Sequence, residues 1–143
     1  MDPQKPSGIS VSEISLVHCN IGNIVSGVDV NYNLALVAFK REYSERKDEL
    51  RATAGFDLMH GITPRICDFL VTFRAIYRRK EDSNMTWEEF DDTYCVTHII
   101  PYLREFVGGM TLRMPIKSFI ILPPTNVKLL VKKYTESLQH KAV

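Results

Sequence analysis

The sequence lacks almost every string that announces a chemistry. It has no GxxxxGKS/T loop to cradle phosphate, no GxGxxG turn, no HExxH helix and no GxSxG elbow. It lacks an excess of either charge: 18 Lys and Arg stand against 17 Asp and Glu, a formal net charge of +1. That balance argues against a nucleic-acid partner, which demands a basic surplus. Cysteine is scarce and odd in number: Cys19, Cys67 and Cys95, with no CxxC pair. A disulfide framework is therefore not expected, and free thiols in a reducing compartment are. No apolar run approaches the ~18 residues of a membrane span, so no membrane insertion is expected. The opening MDPQKPSG has no apolar h-region, so no secretory signal is expected and the default location is cytoplasmic. Repeats and low-complexity tracts are missing too.

Residue pairs that hint at catalysis stay incomplete. Cys95 and His98 stand at i, i+3, but two ligands do not make a metal site, and both fall on an apolar stripe. His18 and Cys19 are adjacent, so on a strand they point to opposite faces. We assign no catalytic residue, no metal ligand and no cofactor, and expect a protein that is not an enzyme.

What is present is core-forming. Of 143 residues 45% are hydrophobic, enough for one domain, placed at residues 8–140 between a loose stretch, 1–7, and a short end, 141–143. Residues 8–79 read as four strands. Ile9 and Val11 alternate with serines, and the phase flips near Glu13, which predicts a bulge. Val28, Val30, Tyr32, Leu34 and Leu36 alternate with Asp29, Asn31 and Asn33, predicting a second strand. The charged stretch Lys40 to Arg51 reads as a solvated connection. Alternation resumes over Leu50 to Leu58 and over Cys67 to Tyr77. Short polar links favour antiparallel pairing.

A long helix follows. Thr86 and Glu89 have capping-box spacing, with Met85 and Phe90 as the staple. Asp91 and Asp92 then lie in the second turn, favourable to the dipole. An apolar stripe continues through Tyr94/Cys95, His98/Ile99, Tyr102/Leu103, Phe106/Val107 and Met110. Taken from Thr86 to Arg113 this is 28 residues, about 42 Å. Pro101 lies in its interior, predicting a kink. Gly108 and Gly109 either admit a second backbone closely or end the helix at Val107, with Gly108 at the C-cap. Ile100 and Val96 make a second face partly apolar, so burial on two sides is expected, the second against another copy. Lys117 to Leu122 reads as a short extended piece, and Pro123 to Asn126 turns the chain into a last helix.

The segment IIPYLREFVGGMTLRMPIKSFIILPP, followed by an amphipathic helix, resembles the SecB export-chaperone family. The resemblance rests on Pro101-Tyr102-Leu103-Arg104-Glu105 in the long helix, the stretch Pro115 to Leu122, the Pro123/Pro124 turn and the final helix at 125–140. With the four strands upstream it covers about residues 8–140. It implies an α+β fold: a four-stranded antiparallel sheet with a long kinked helix and a C-terminal helix on one face. It implies a homotetramer built as a dimer of dimers, and an ATP-independent holdase for unfolded polypeptide.

Two departures narrow that reading. Export SecB is acidic and meets SecA through acidic surfaces. This chain carries Arg51, Arg65, Arg74, Arg78 and Arg79 in its strand region and ends ESLQHKAV, which argues against SecA. The crossover after the first strand, about Cys19 to Gly27, is also short. SecB-like proteins with these departures include dedicated chaperones of toxin–antitoxin systems, and we expect an antitoxin as client. General export and a non-chaperone adaptor are the alternatives. The resemblance places client contacts on Ile21, Ile24 and Val25 of the crossover, on Val28, Val30, Tyr32 and Leu34, and on Leu129, Leu130, Tyr134 and Leu138 of the last helix. Each of these is otherwise a core contact of the single chain. The interface between copies is expected at Ile99, Tyr102, Leu103, Phe106, Val107, Gly108 and Gly109.

Overall fold

The computed structural model describes residues 8–29 and 31–141. The expectations for stretch 1–7, for Val30 and for residues 142–143 lie outside the described residues. Four strands, β1 (Ile9–Gly22), β2 (Ala35–Tyr43), β3 (Glu49–Asp57) and β4 (Asp68–Arg79), precede two helices, α1 (Asp92–Leu112) and α2 (Val127–Lys141). The strands form one antiparallel sheet in the order β1-β4-β3-β2. β4 and β3 are therefore interior, and β1 and β2 are the edges.

Period-2 alternation decides which side of the sheet is core. Leu50, Ala52, Ala54 and Phe56 of β3 pair with Tyr77, Ala75, Phe73 and Val71 of β4, so all point to one face. None is more than 5% exposed. α1 covers that face with Cys95, Val96, Ile99, Ile100, Leu103, Val107 and Thr111, spaced three and four apart. Arg41 on β2 ties strand to helix, donating to Asp92 at 3.2 Å and to the Trp87 carbonyl at 3.0 Å.

One helix cannot cover the whole sheet. A helix is about 10 Å across and strands lie about 4.8 Å apart, so it spans roughly two of them. Val11 and Leu16 of β1 share the core face through their partners Tyr77 and Phe73. They remain 48% and 42% exposed. On the other flank, α2 packs against β2.

Several expected boundaries move. The bulge near Glu13 is present between Val11 and Glu13, and a second lies between Leu16 and His18. β1 then runs to Gly22, through half of the stretch read as crossover. Among its described residues, 28–29 and 31–34, the alternating run forms no strand, since β2 begins only at Ala35. Its described backbone bonds elsewhere: the Lys117 amide donates to the Val28 carbonyl at 3.3 Å, and Asn33 makes a single bridge to Met59, its amide donating to the Leu58 carbonyl at 2.8 Å. The alternation there records one side of a loop, not a ladder. The charged stretch 40–51 is mostly strand, and the connection is only a turn from Ser44 to Asp48, closed by the Ser44 hydroxyl on Asp48 at 2.7 Å.

The capping box forms but caps a single turn. The Glu89 amide donates to Thr86 Oγ1 at 3.2 Å, and the Thr86 amide to Glu89 Oε1 at 3.3 Å. Asp91 is then extended (φ −82°, ψ −177°) and becomes the cap of the long helix, accepting from the Tyr94 amide at 3.2 Å. Asp92 thus stands in the first turn rather than the second. α1 has 21 residues, about 32 Å, and continues past Gly108 and Gly109 to a C-cap at Arg113. The alternative helix end at Val107 is therefore wrong. The expected extended piece 117–122 forms no strand: 117 and 118 lie in a bend, and 119–122 have no regular secondary structure. Ile120 and Leu122 are buried, while Phe119 and Ile121 stay exposed. Thr111 pins this segment, donating to the Val107 carbonyl at 2.7 Å and accepting from the Ile120 amide at 2.8 Å.

Ile99 has no exposed surface at the centre of the α1–sheet contact. Ile99→Ala should lower unfolding free energy by about 3 kcal/mol. Loss of the Asp91 cap in Asp91→Ala should cost about 1 kcal/mol. Urea titration followed by circular dichroism measures both; equal costs would place Ile99 outside the core.

Candidate functional site

α2 starts where Pro123 and Pro124 end any extended pairing and Asn126 takes over as cap. The Asn126 side-chain oxygen accepts from the Leu129 amide at 3.1 Å. Leu130, Val131 and Tyr134 then turn inward, and Leu130 is buried. The helix does not close onto the sheet along its full length. Between its first turns and the start of β2 lies a groove of about 520 Å³. Tyr32, Leu34, Leu36 and Val37 form one wall, and Leu129, Leu130 and Tyr134 the other. Leu122, Pro123 and Pro124 close one side.

Two tyrosines hold the walls apart and in place. The Tyr134 hydroxyl accepts from the Phe39 amide at 3.1 Å, which satisfies a donor of edge strand β2. The Tyr32 hydroxyl donates to the Ile121 carbonyl at 3.5 Å. Asn33 anchors the strand entry, donating from its side chain to the His60 carbonyl at 2.9 Å. The groove is lined mainly by apolar side chains, with Asn33, Thr125, Asn126 and Ser137 among them, Lys133 and His60 as its basic groups and no carboxylate.

No family model matches the chain. No curated protein matches it. Among solved structures it is similar to the Mycobacterium tuberculosis Rv1957 SecB-like chaperone in complex with a ChAD peptide from Rv1956 HigA1 antitoxin. The TM-score is 0.63 at 17% identity, over 82% of this chain and 91% of that chain. The fold is SecB-like.

Within that SecB-like fold the expected client residues divide into two groups. Tyr32, Leu34, Leu129, Leu130 and Tyr134 come together in the groove. Leu138 lies beyond it, exposed on α2. Ile21, at the end of β1, and Ile24, Val25 and Val28 in the loop after it lie outside the groove lining. Ile21, Ile24 and Val28 are half-buried against the core, and Val25 is exposed with its amide donating to the Ile66 carbonyl at 2.7 Å. The groove also recruits Val37, His60 and Lys133, which sequence reading did not single out. Lys133 was within reach, one turn from Leu129 on the same stripe. His60 was not, because only the β3–β4 connection brings it there.

The expected interface residues divide as well. Ile99, Leu103 and Val107 are fully buried inside the single chain, so they have no surface to offer a second copy. Phe106 is half-buried with its ring edge-on to Phe69 and Phe73. Tyr102 is exposed. Gly108 borders a second hollow of about 350 Å³ with Pro101, Arg104, Glu105, Ile121 and Leu122. A Cβ on Gly108 would meet only the Ile120 carbonyl at 3.9 Å, so packing within the chain does not require glycine there. Gly109 is half-buried beside Arg113, whose guanidinium donates to the Gly109 carbonyl at 2.6 Å.

Among the described residues no group of three His, Cys, Asp or Glu could hold a metal ion. No helix there is long and apolar enough to cross a membrane. Cys95 is a core residue, whereas His98 is exposed: the Tyr77 hydroxyl lies 3.2 Å from His98 Nδ1 and donates to the Cys95 carbonyl at 3.4 Å. Burial pushes the Cys95 thiol up to about 12 and raises the Cys67 thiol, so neither forms thiolate near neutrality. His18 pairs with Thr72 and Cys19 with Val71, on opposite faces. At pH 8 a disulfide reagent should therefore label the exposed Cys19 quickly, and Cys67 and Cys95 only at the rate of unfolding. Rapid release of three thiols from native protein would contradict this burial.

Proposed function

We propose that this protein is a SecB-like holdase chaperone that keeps an aggregation-prone polypeptide, an antitoxin, soluble and unfolded. The observation that carries the reading is the uncovered apolar groove between α2 and β2, on a fold whose solved neighbour is in complex with an antitoxin peptide. A client buries apolar side chains there at roughly 25 cal/mol per Å². Nothing in such binding needs ATP, and the sequence has no phosphate loop to hold it. We read the protein as a binder rather than an enzyme, working in the cytoplasm, where its three free thiols stay reduced.

The same reading includes a dimer of dimers. Tyr94, Tyr102, Leu112, Phe119 and Ile121 leave apolar surface open around α1, and Val11 and Leu16 leave it open beside β1. Such surface is costly on a monomer. SecA is not the favoured partner. Arg51, Arg74 and Arg78 pair with Ile76, Thr53 and Glu49 on the open face of the sheet, where a partner that reads acidic groups meets like charge.

Co-purification from the native host with mass spectrometry tests the role. One dominant antitoxin-like partner supports it, whereas many exported precursors together with SecA would replace it by general export. Leu130 is too buried for a clean test of the groove, so Leu129, 44% exposed, is the better site. Leu129→Ser should weaken protection of an aggregating client about tenfold with less than about 1 kcal/mol lost in stability, as for other surface positions. Gly108→Leu should lower the oligomer mass in light scattering while the sheet stays folded; an unchanged tetramer would sink the close approach at Gly108.

A further inference from the structure

The groove wall is not electrically neutral. Lys133 is an exposed residue of the lining, and His60 stands as a second basic group. No Asp or Glu is part of the lining. Among the described residues Lys133 makes no ion pair. α2 as a whole carries Lys128, Lys132, Lys133 and Lys141 against the single carboxylate Glu136, which lies outside the lining. Behind His60, Asp57 comes within 3.9 Å of Nδ1. That carboxylate is already held by Arg65 at 2.7 Å and the Met59 amide at 2.9 Å, and it is buried, so it does not neutralise the groove mouth.

We infer that the groove selects extended apolar segments carrying an acidic side chain beside their apolar anchor, with Lys133 as the residue that reads it. The inference rests on the groove being the client site proposed above. Apolar walls lower the local dielectric, so charge at the rim counts for more than on an open surface. A client with Glu or Asp next to its anchor gains an ion pair with Lys133. A client with Lys or Arg there meets like charge with no carboxylate in the lining to relieve it. The apolar anchor supplies the affinity, and Lys133 supplies the choice among clients.

Three synthetic peptides test this. They share one Phe-Val-Phe anchor and differ in a single flanking residue, Glu, Gln or Lys. Fluorescence anisotropy with the full-length protein at low salt gives each dissociation constant. The Glu peptide should bind about fivefold tighter than the Gln peptide and the Lys peptide about fivefold weaker, the range of a solvent-accessible ion pair. High salt should compress that order. Lys133→Glu should invert it, and Lys133→Gln should flatten it. Equal affinities for all three peptides with the unaltered protein, or an order that survives Lys133→Glu, would overturn the charge selectivity and leave the groove reading standing. If no peptide binds the unaltered protein, or if Leu129→Ser fails to weaken the Gln peptide, the groove reading falls and this inference falls with it.

Discussion

The width of the sheet relative to one helix governs this molecule. One face of β3 and β4 is buried under α1, and its side chains form the core with Ile99, Leu103 and Val107. The sheet has four strands, so its outer two extend past the helix on both sides. Each flank meets that excess differently. On the β1 side Val11 and Leu16 stay partly exposed among the described residues. On the β2 side α2 leans in and leaves a groove. A second long helix laid flat on β2 would have closed the core and removed the site.

The groove survives because its walls are held by polar bonds rather than by packing into one another. Tyr134 spends its hydroxyl on the β2 edge, and Tyr32 reaches the backbone at Ile121. The loop before β2 is tied at Gly27 and Val28 to the segment after α1, and that segment is tied to the helix end by Thr111. A hydrogen bond of this kind contributes about 1 kcal/mol, enough to fix a position without demanding contact along the whole length. The space left, about 520 Å³, is within the usual range for a ligand-sized cleft and open along its length to an extended chain.

This division of labour suits a holdase. The interior is specified by alternating side chains that tolerate little change, whereas the groove presents Leu, Val, Pro and Tyr side chains with few directional demands. Apolar burial is non-directional, so many sequences gain from it. The charge available beside that apolar surface is the basic lining, Lys133 and His60.

Local pattern was enough to reveal the strand count, the core face and the long helix. Leu50 to Leu58 and Phe69 to Tyr77 alternate because a buried strand face repeats every two residues. The α1 stripe repeats every three to four for the corresponding reason in a helix. The groove residues Leu129, Leu130 and Tyr134 on α2 follow the same periodicity. Where pattern failed, the reason was non-local. Val28 to Leu34 alternate like a strand, but the backbone partner of Val28 is Lys117 and those of Asn33 are Leu58 and His60, all distant in sequence. Thr86 and Glu89 make a true capping box, yet the extended backbone at Asp91 decides where the helix begins. Ile99, Leu103 and Val107 look the same in sequence whether they face their own sheet or another copy, and only the placement of the sheet distinguishes the two. Which side chains meet across the groove, with His60 from one end of the sheet and Lys133 from the last helix, depends on chain topology that hydrophobic spacing does not encode.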